Sequence, residues 1–347
     1  MKKASFIRTA ATVAAFAAAC IITATSSCKG QDRIGANNEG DSVAGKLTRP
    51  AYLKPGDKVA IITPAYNTDY SNITKAAEVI RSWGYEPVLS PNINASFAKA
   101  YAGTVEQRLS DLRWALENPD IKAIICQRGG YGAIHFICKL APEEFARTPK
   151  WLIGYSDITT LLGFATRGGV LSIHGPMGNT LAEESGLDTS CVMLRNLLAG
   201  EVPSYSVPAH PSNISGKARG RLVGGNICTF APLVGTEADF TAEGDLILFI
   251  EEVGESFHNL DRQLNILINS GILNRVKGVI LGDFSDCKAD LKYASAEALL
   301  TTYFKGLGIP VCCGFPAGHG GTNWPLLIGA DATLTVNRDG STLTFNL

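Results

Sequence analysis

A buried strand that turns sharply into a helix is the pattern of Pro149-Lys150-Trp151-Leu152-Ile153-Gly154-Tyr155-Ser156-Asp157-Ile158. The apolar residues 151–153 end in a glycine, and helix-like sequence follows the serine. This is the sequence pattern of a nucleophile elbow, which exposes a serine hydroxyl at the edge of a sheet. The match with G-x-S-x-G is incomplete, because Ile158 stands where the last glycine would be. Ser156 is therefore a candidate nucleophile that needs support from other parts of the chain.

Strands and helices alternate on both sides of this turn. The predicted strands are residues 59–62, 86–89, 121–126, 151–153 and 170–173, and the predicted helices include residues 73–83, 105–116 and 158–166. Such alternation indicates a parallel sheet with helices on both faces. Ligands bind beyond the carboxyl ends of the strands in these sheets. Ser156 and the glycine-rich residues 128–132 (RGGYG) both fall at that edge.

A second α/β domain is predicted after the proline-rich residues 203–218. Its predicted strands are residues 246–250, 276–281, 310–313, 332–336 and 342–345, and its predicted helices are residues 260–270 and 295–304. The last two strands indicate an antiparallel end to the chain, so this domain is predicted to be mixed α/β. The predicted domains are therefore residues 48–202 and 219–347, joined by a linker at residues 203–218.

The first 28 residues have the pattern of a secretory signal. Basic residues precede an apolar stretch over residues 10–24, which is too short to span a bilayer comfortably. The end of this stretch, Thr25-Ser26-Ser27-Cys28, resembles a bacterial lipobox; lipidation at Cys20 and a plain cleaved signal are the alternatives. We expect an exported protein, lipid-anchored at Cys28 to the cell envelope and facing the periplasm. Polar residues 29–47 are predicted to be a flexible tether, and the anchor is the only membrane contact expected.

Composition narrows the class of protein further. Hydrophobic residues make up 46% of the 347 residues and charged residues 18%, so a large core is expected. The net charge of −1 provides no electrostatic surface for nucleic acid. Beyond Cys28 the chain has an odd number of cysteines and no C-x-x-C spacing. We therefore predict free thiols, mostly buried, and no metal site.

A serine nucleophile needs a base and a group that orients this base. The histidines available are His135, His174, His210, His258 and His319. His319 lies in a glycine-flanked loop (PAGHGG) after a predicted strand, where scaffolds commonly present catalytic groups. His174 also follows a strand and is the alternative. Glu251 and Glu252 both end an apolar strand, and the pattern alone does not choose between them.

Backbone amides are the remaining requirement, because an oxyanion needs donors. The RGGYG segment lacks the G-K-[ST] of a phosphate loop. Its amides are instead candidates for half of an oxyanion hole, with the amide of Asp157 as the other half.

Taken in order, the motifs of this chain resemble those of the L,D-carboxypeptidases of bacterial cell-wall recycling, which include the microcin-immunity serine peptidases. The matching segments are GDKVA (residues 56–60), RGGYG (128–132), IGYSD (153–157), HGP (174–176), GGN (224–226), FIE (249–251) followed by DR (261–262), and GH (318–319). The resemblance covers residues 50–347. It implies a Rossmann-like (flavodoxin-like) N-terminal domain that carries the serine and a mixed α/β C-terminal domain that carries Glu and His.

By motif, the resemblance implies Ser156 as nucleophile, His319 as base and Glu251 as orienting acid, assembled across the domain interface. It maps the oxyanion donors to the amides of Asp157 and Gly130, and it implies no cofactor and no metal. Homodimers are common in the family, so a homodimer is expected.

The implied activity is release of the terminal D-alanine from a muropeptide tetrapeptide. One departure leaves a second substrate open. Many members have an arginine three residues after the last glycine of RGGYG, where this chain has His135. Another peptide amide, as in the microcin-immunity branch, is therefore an alternative substrate. A periplasmic ligand-binding lipoprotein, which needs no reactive serine, is the alternative that is not an enzyme.

Overall fold

The computed structural model describes residues 47–347, which fold as two sheets with helices packed against them. The strands are β1 (Lys58–Ile62), β2 (Glu86–Leu89), β3 (Ile121–Cys126), β4 (Trp151–Gly154), β5 (Ser172–His174), β6 (Tyr205–Pro208), β7 (Gly216–Asn226), β8 (Leu246–Val253), β9 (Val276–Ser285), β10 (Val311–Cys313), β11 (Leu326–Ile328), β12 (Asp331–Asn337) and β13 (Gly340–Phe345). The α-helices are α1 (Tyr70–Ser82), α2 (Val105–Glu117), α3 (Glu143–Arg147), α4 (Thr159–Arg167), α5 (Gly178–Glu183), α6 (Thr189–Leu198), α7 (Ile227–Phe230), α8 (Phe257–Asn269) and α9 (Ala296–Phe304). Short 3-10 helices span Ala133–Lys139, Ser156–Ile158, Ala231–Leu233 and Ile272–Asn274.

The first sheet has the strand order β11-β5-β4-β3-β1-β2. Strands β1 to β5 pair in parallel, and their order 2-1-3-4-5 is that of flavodoxin-like sheets. The strands are nearly continuous apolar runs, because helices cover both faces. On α1, Ile73, Ala76 and Ile80 repeat at helical spacing and are fully buried. The predicted Rossmann-like N-terminal fold is confirmed.

The second sheet has the order β10-β9-β8-β7-β12-β13-β6. Strands β7 to β10 pair in parallel, whereas β12, β13 and β6 pair antiparallel. The predicted mixed α/β character of this part, with an antiparallel end, is therefore confirmed. The carboxyl end of β8 carries Glu251, at the same level as Asn226 on β7.

The chain does not divide as simply as the predicted boundaries suggest. Residues 203–218 are not a free linker, because they contain β6 and the start of β7. Tyr205 and Val207 are buried and alternate with exposed neighbours, which is a strand pattern that the prolines obscured. Pro208 is tolerated because β6 is an edge strand. In addition, β11 leaves the second half of the chain and pairs antiparallel with β5, with Leu326 opposite His174.

The predicted signal at residues 1–28, with Cys20 and Cys28, lies outside the described residues, as does the predicted tether except its last residue. These assignments, the envelope location and the homodimer stay predictions. Within residues 47–347, no helix is long and apolar enough to cross a membrane.

Lys150, in the segment that leads into β4, closes the end of α2. Its Nζ donates to the backbone oxygens of Ala115, Leu116 and Asn118 at 2.8, 2.6 and 2.6 Å. The last carbonyl groups of a helix have no partner within the helix, so a buried ammonium group satisfies three of them at once.

Replacing Lys150 by Met keeps the length of the side chain but removes the ammonium donor. The Ala115 carbonyl is affected most, because Leu116 also accepts from the Thr148 hydroxyl and Asn118 from the Ile121 amide. We expect the free energy of unfolding to fall by about 1–3 kcal/mol, measured by urea denaturation followed by circular dichroism. Lys122→Met is the matched control, because Lys122 is exposed and donates only to Pro119 O. Its effect should stay within about 0.5 kcal/mol. Equal midpoints for the two variants would contradict this role of Lys150.

Candidate active site

Ser156 lies directly after β4 in a backbone conformation that is unusual for its residue type. Its φ is +62°, in the left-handed region, and it begins a 3-10 turn that runs into α4. The Ile158 amide donates to the Tyr155 carbonyl at 3.1 Å and closes this turn. A left-handed residue other than glycine costs roughly 1–3 kcal/mol and is found mainly at functional sites. The predicted elbow is thus a tight strand-to-helix turn that holds its serine in a strained conformation.

The incomplete G-x-S-x-G match has a packing explanation. Ile158 is fully buried, and a Cβ atom added to Gly154 would lie 2.7 Å from its Cγ2. The isoleucine side chain therefore occupies the space beside the first glycine of the motif. Gly154 must remain glycine, whereas the position of Ile158 needs no glycine.

The RGGYG turn packs against this elbow. A Cβ atom on Gly129 would lie 2.9 Å from Ser156 Cβ, 3.1 Å from its Oγ and 3.4 Å from the Asp157 amide nitrogen. Gly130 has a φ of +103° and no room for a side chain beside the Tyr66 ring. The two predicted oxyanion residues, Asp157 and Gly130, thus belong to turns that are in contact with each other.

The carboxylate of Asp157 fastens the two turns together. It accepts a hydrogen bond from the Ala133 amide at 2.8 Å. Burial raises the pKa of this carboxyl group, and the amides of Ala133 and Gly132 and the charge of Arg108 oppose the rise. Asp157 is therefore a structural link through its side chain, and only its amide is a candidate for the oxyanion hole.

Glu251 and His319 form a hydrogen-bonded pair. His319 Nδ1 lies 2.7 Å from Glu251 Oε2, and the exposed fractions of the two side chains are 16% and 0%. Glu251 reaches this position from the end of β8. Since Gly318 has a φ of +133° and its added Cβ would lie 3.0 Å from Glu251 Oε2, only glycine allows so close an approach. The structure brings together these two predicted residues from distant parts of the chain.

The loop that carries His319 is held by further hydrogen bonds. The Gly320 amide donates to Asp283 Oδ2 at 3.2 Å, and the Trp324 amide donates to the Pro316 carbonyl at 2.8 Å. Both contacts fix the backbone on either side of the imidazole. Asp283, on β9, is a residue of this site that the sequence analysis missed.

The surroundings of His319 stabilise its protonated imidazole relative to that of a free histidine in water. Burial acts to lower the pKa of His319, but the hydrogen bond and charge of Glu251 and the charges of Glu252 and Asp283 outweigh it, so the pKa is raised above 6.5. Burial also raises the pKa of Glu251, and its hydrogen bond with His319 opposes this rise. In the neutral imidazole, the proton on Nδ1 points to Glu251 and Nε2 is left as the basic nitrogen.

The residue before Ser156, Tyr155, packs beside the His319 ring. The Tyr155 ring, next to the serine, lies 4.9 Å from the His319 ring between centroids. Within residues 47–347, no hydrogen bond joins Ser156 to His319. Such contacts are often long in enzymes without substrate and tighten only in the complex.

The neighbouring glutamate has a different role. Glu252 accepts hydrogen bonds from Asn226 Nδ2 at 2.7 Å and from the amides of Cys228 and Val253 at 3.0 and 2.8 Å. These donors occupy its carboxylate away from the imidazole. A register irregularity between Ile250 and Glu252 separates the two glutamates, and no strand pattern reveals which one faces His319.

The remaining histidines have other partners. His174 is fully buried, with Nε2 3.0 Å from Asn323 Oδ1, and burial lowers its pKa to about 3. His258 pairs with Asp290 at the surface. His135 Nδ1 lies 3.3 Å from Arg108 Nη2. Among the described histidines, His319 alone pairs with a buried carboxylate, and the rival base His174 lacks a carboxylate partner.

The described part of the chain holds no cluster of three or more His, Cys, Asp or Glu side chains suited to a metal ion. Its seven cysteines are free. Most are buried or partly buried, and Cys138 is exposed.

Comparison with known proteins places these features in a family. The profile of the LD-carboxypeptidase N-terminal domain matches residues 59–175, and that of the LD-carboxypeptidase C-terminal domain matches residues 219–334. The murein tetrapeptide carboxypeptidase of Pseudomonas aeruginosa is 33% identical over 295 residues, which cover 81% of this chain and 94% of that protein. The microcin C7 self-immunity protein of Escherichia coli is 26% identical over 330 residues, which cover 85% and 94%.

A solved structure agrees with these matches. The muramoyltetrapeptide carboxypeptidase from Oxalobacter formigenes superimposes with a TM-score of 0.76 at 28% identity, covering 84% of this chain and 99% of that one. The fold is therefore shared with a protein named as a carboxypeptidase. The chain belongs to the LD-carboxypeptidase family of peptidases.

Proposed function

We propose that this protein is a serine-type L,D-carboxypeptidase that releases the terminal D-alanine from a muropeptide tetrapeptide, at the bond after the diamino acid. The observation that carries the proposal is the buried hydrogen bond between Glu251 and His319, beside the strained turn of Ser156. A base that is oriented by a carboxylate and set near a serine is the arrangement that acyl transfer requires. The name of the Pseudomonas aeruginosa relative supports the substrate class.

The proposed reaction follows from these positions. Ser156 Oγ attacks the carbonyl carbon, and His319 Nε2 takes the hydroxyl proton while Glu251 stabilises the imidazolium. The amides of Asp157 and Gly130 bind the oxyanion of the tetrahedral intermediate. The imidazolium then protonates the leaving nitrogen of D-alanine, and a water molecule hydrolyses the acyl-enzyme by the same route. This scheme uses no metal or cofactor.

A second substrate class stays open because of His135. Its Nδ1 faces the guanidinium of Arg108, which is 2% exposed and donates to the carbonyls of Pro64 and Gly132. The positive charge of Arg108 therefore lies in the protein interior next to the His135 ring, and not at the surface. If a surface arginine selects the substrate in relatives, a different peptide amide is the alternative here, in line with the microcin C7 self-immunity relative. Turnover of tetrapeptide against peptidyl-nucleotide substrates separates the two.

Replacing Ser156 by Ala should abolish D-alanine release while the fold survives. The expected loss in kcat is roughly 10⁴-fold or more, because the nucleophile is gone. The measurement is the D-alanine released from a muropeptide tetrapeptide, quantified by mass spectrometry.

Ser185→Ala is the matched control. Ser185 is an exposed serine with the same left-handed backbone, at a φ of +52°, and alanine keeps the Cβ atom at both positions, so the backbone strain is retained equally in the two variants. It should retain wild-type activity. Wild-type turnover by Ser156→Ala would reject the mechanism, and a folded wild-type protein that turns over neither the tetrapeptide nor the peptidyl-nucleotide substrate would favour the ligand-binding alternative.

The pH dependence of kcat/KM should follow the ionisation of His319. The base must be neutral, so activity is present at high pH and is lost as the pH falls through the raised pKa, above 6.5. Glu251→Gln removes the negative charge that stabilises the imidazolium, so burial then lowers the pKa of His319. The acidic limb should therefore move to lower pH, and kcat should fall roughly 10²- to 10⁴-fold because the imidazole is no longer held in one tautomer.

Glu252→Gln provides the comparison, because it removes an equal charge from a group that does not contact His319. The acidic limb of its kcat/KM profile should also move to lower pH, but by less than in Glu251→Gln. A larger shift in Glu252→Gln than in Glu251→Gln would contradict the assignment of the orienting acid.

Replacing Gly129 by Ala tests the contact between the RGGYG turn and the elbow. The new methyl group would lie 2.9 Å from Ser156 Cβ, so the serine or the turn must shift. We expect kcat to fall about 10²-fold, since a displacement of about 1 Å at a reacting group has this effect. Gly321→Ala is the control, because a Cβ at Gly321 meets no atom within 4 Å. Equal activity in the two variants would count against a nucleophile beside Gly129.

A further inference from the structure

A fully buried polar pair connects the two halves of the site. His174 ends β5 in the first sheet, and its Nε2 lies 3.0 Å from Asn323 Oδ1, in the loop that carries His319. Both side chains are buried, His174 completely. Burying a polar group is costly unless it is hydrogen-bonded, so the pair must offset a desolvation cost that an apolar pair would not incur.

The hydrogen-bonding partners fix the chemical state of this pair. The Gly318 amide donates to the same Asn323 Oδ1 at 3.0 Å. A backbone amide is always a donor, so this atom must be the oxygen of the Asn323 side chain and not its nitrogen. His174 Nε2 must therefore carry a proton and donate it. Burial, which lowers the pKa of His174 to about 3, keeps the ring neutral in this tautomer.

The Asn323 side chain acts directly on the loop of the base. Its oxygen holds the amide of Gly318, the residue immediately before His319. The backbone amide of Asn323 in turn donates to Ser190 Oγ, on α6, at 2.9 Å. The loop is thus tied to the first half of the molecule at Asn323, through one side-chain and one backbone contact.

The His174 ring also lies next to the turn that carries Ser156. Its centroid lies 5.9 Å from that of Tyr155, whose ring lies 4.9 Å from that of His319. On another side it lies 4.9 Å from the ring of Phe249, two residues before Glu251 on β8. One ring therefore contacts the segments that lead to the serine and to the acid, and through Asn323 it reaches the base.

We propose that His174 is a positioning residue: by donating to Asn323 Oδ1, it keeps this amide turned toward Gly318 and so sets the place of His319 relative to Ser156. The inference rests on the proposed function, since it takes His319 as the base. It assigns His174 no contact with substrate and no proton transfer.

The charged groups that raise the pKa of His319 are Glu251 and Glu252 from β8 and Asp283 from β9, and of these two glutamates only Glu251 contacts the imidazole. His174 is neutral and adds no charge of its own. Its replacement by a neutral residue therefore affects the titration of His319 only through the position of the loop.

Two substitutions separate the hydrogen bond from the volume of the ring. His174→Phe keeps a ring but removes the donor, which leaves the Gly318 amide as the remaining donor to Asn323 Oδ1 and frees the Asn323 side chain to shift together with the loop. His174→Gln places an amide N–H near the former position of Nε2 and restores the donor. We expect kcat to fall roughly 10- to 10²-fold in His174→Phe, with KM within about twofold. In His174→Gln, kcat should stay within about threefold of the wild type.

The titration of His319 by NMR provides a readout that does not depend on turnover. It is followed in the Ser156→Ala background, with and without each His174 substitution. His174→Phe should lower the pKa of His319, because the loop no longer holds the imidazole against Glu251, and His174→Gln should leave it near its original value. Thermal unfolding of each variant shows whether the fold is intact.

The outcomes are distinct. A folded His174→Phe variant with unchanged kcat and unchanged His319 titration would overturn the proposal. Equal losses of kcat in both variants, with the His319 titration unchanged, would also overturn it and indicate a purely structural histidine. If the wild-type protein releases no D-alanine but the titrations differ as expected, the proposed function fails and the positioning role of His174 stands.

Discussion

The hydrogen bond between Glu251 and His319 is the interaction on which the rest of this structure depends. A carboxylate with no exposed surface is tolerated only when a partner compensates the lost hydration, and His319 is that partner. The imidazole reaches it because the loop approaches β8 and β9 closely. A Cβ atom on Gly282 would lie 2.3 Å from the Ala317 carbonyl oxygen, and one on Gly320 would lie 2.5 Å from Asp283 Oδ2. These glycines, together with Gly318, therefore allow the close packing of one loop against two strand ends.

Much of this arrangement could be predicted from local sequence patterns. The order of strands and helices in the first sheet followed from hydrophobic periodicity, because each strand is a short apolar run bounded by turn residues. The turn at Ser156 was predictable because an elbow is a local feature, in which strand, glycine and serine are adjacent in the chain. The loop of His319 was predictable because glycines flank the histidine after a strand. Each of these signals lies within about ten residues of its target, and sequence reasoning is strongest at this range.

The parts that could not be predicted depend on contacts between distant residues. Glu251 and Glu252 look alike in sequence, and a local register irregularity together with the positions of Asn226 and Cys228 decides which one faces the base. The motif resemblance named Glu251, whereas strand periodicity did not. Asn323 gave no signal, because its partners His174 and Ser190 are 149 and 133 residues away. The strand β6 was hidden by prolines that an edge position tolerates.

The return of β11 to the first sheet has a consequence for the autonomy of the two halves. Because β11 pairs with β5, the first sheet is completed by residues that come after five of the seven strands of the second sheet. A fragment that stops at residue 202 would leave the edge of β5 unpaired and apolar, a known template for aggregation. The first sheet is therefore not an independent module. Its β5 edge is covered only when the later part of the chain is present, so the two sheets are expected to fold as one unit.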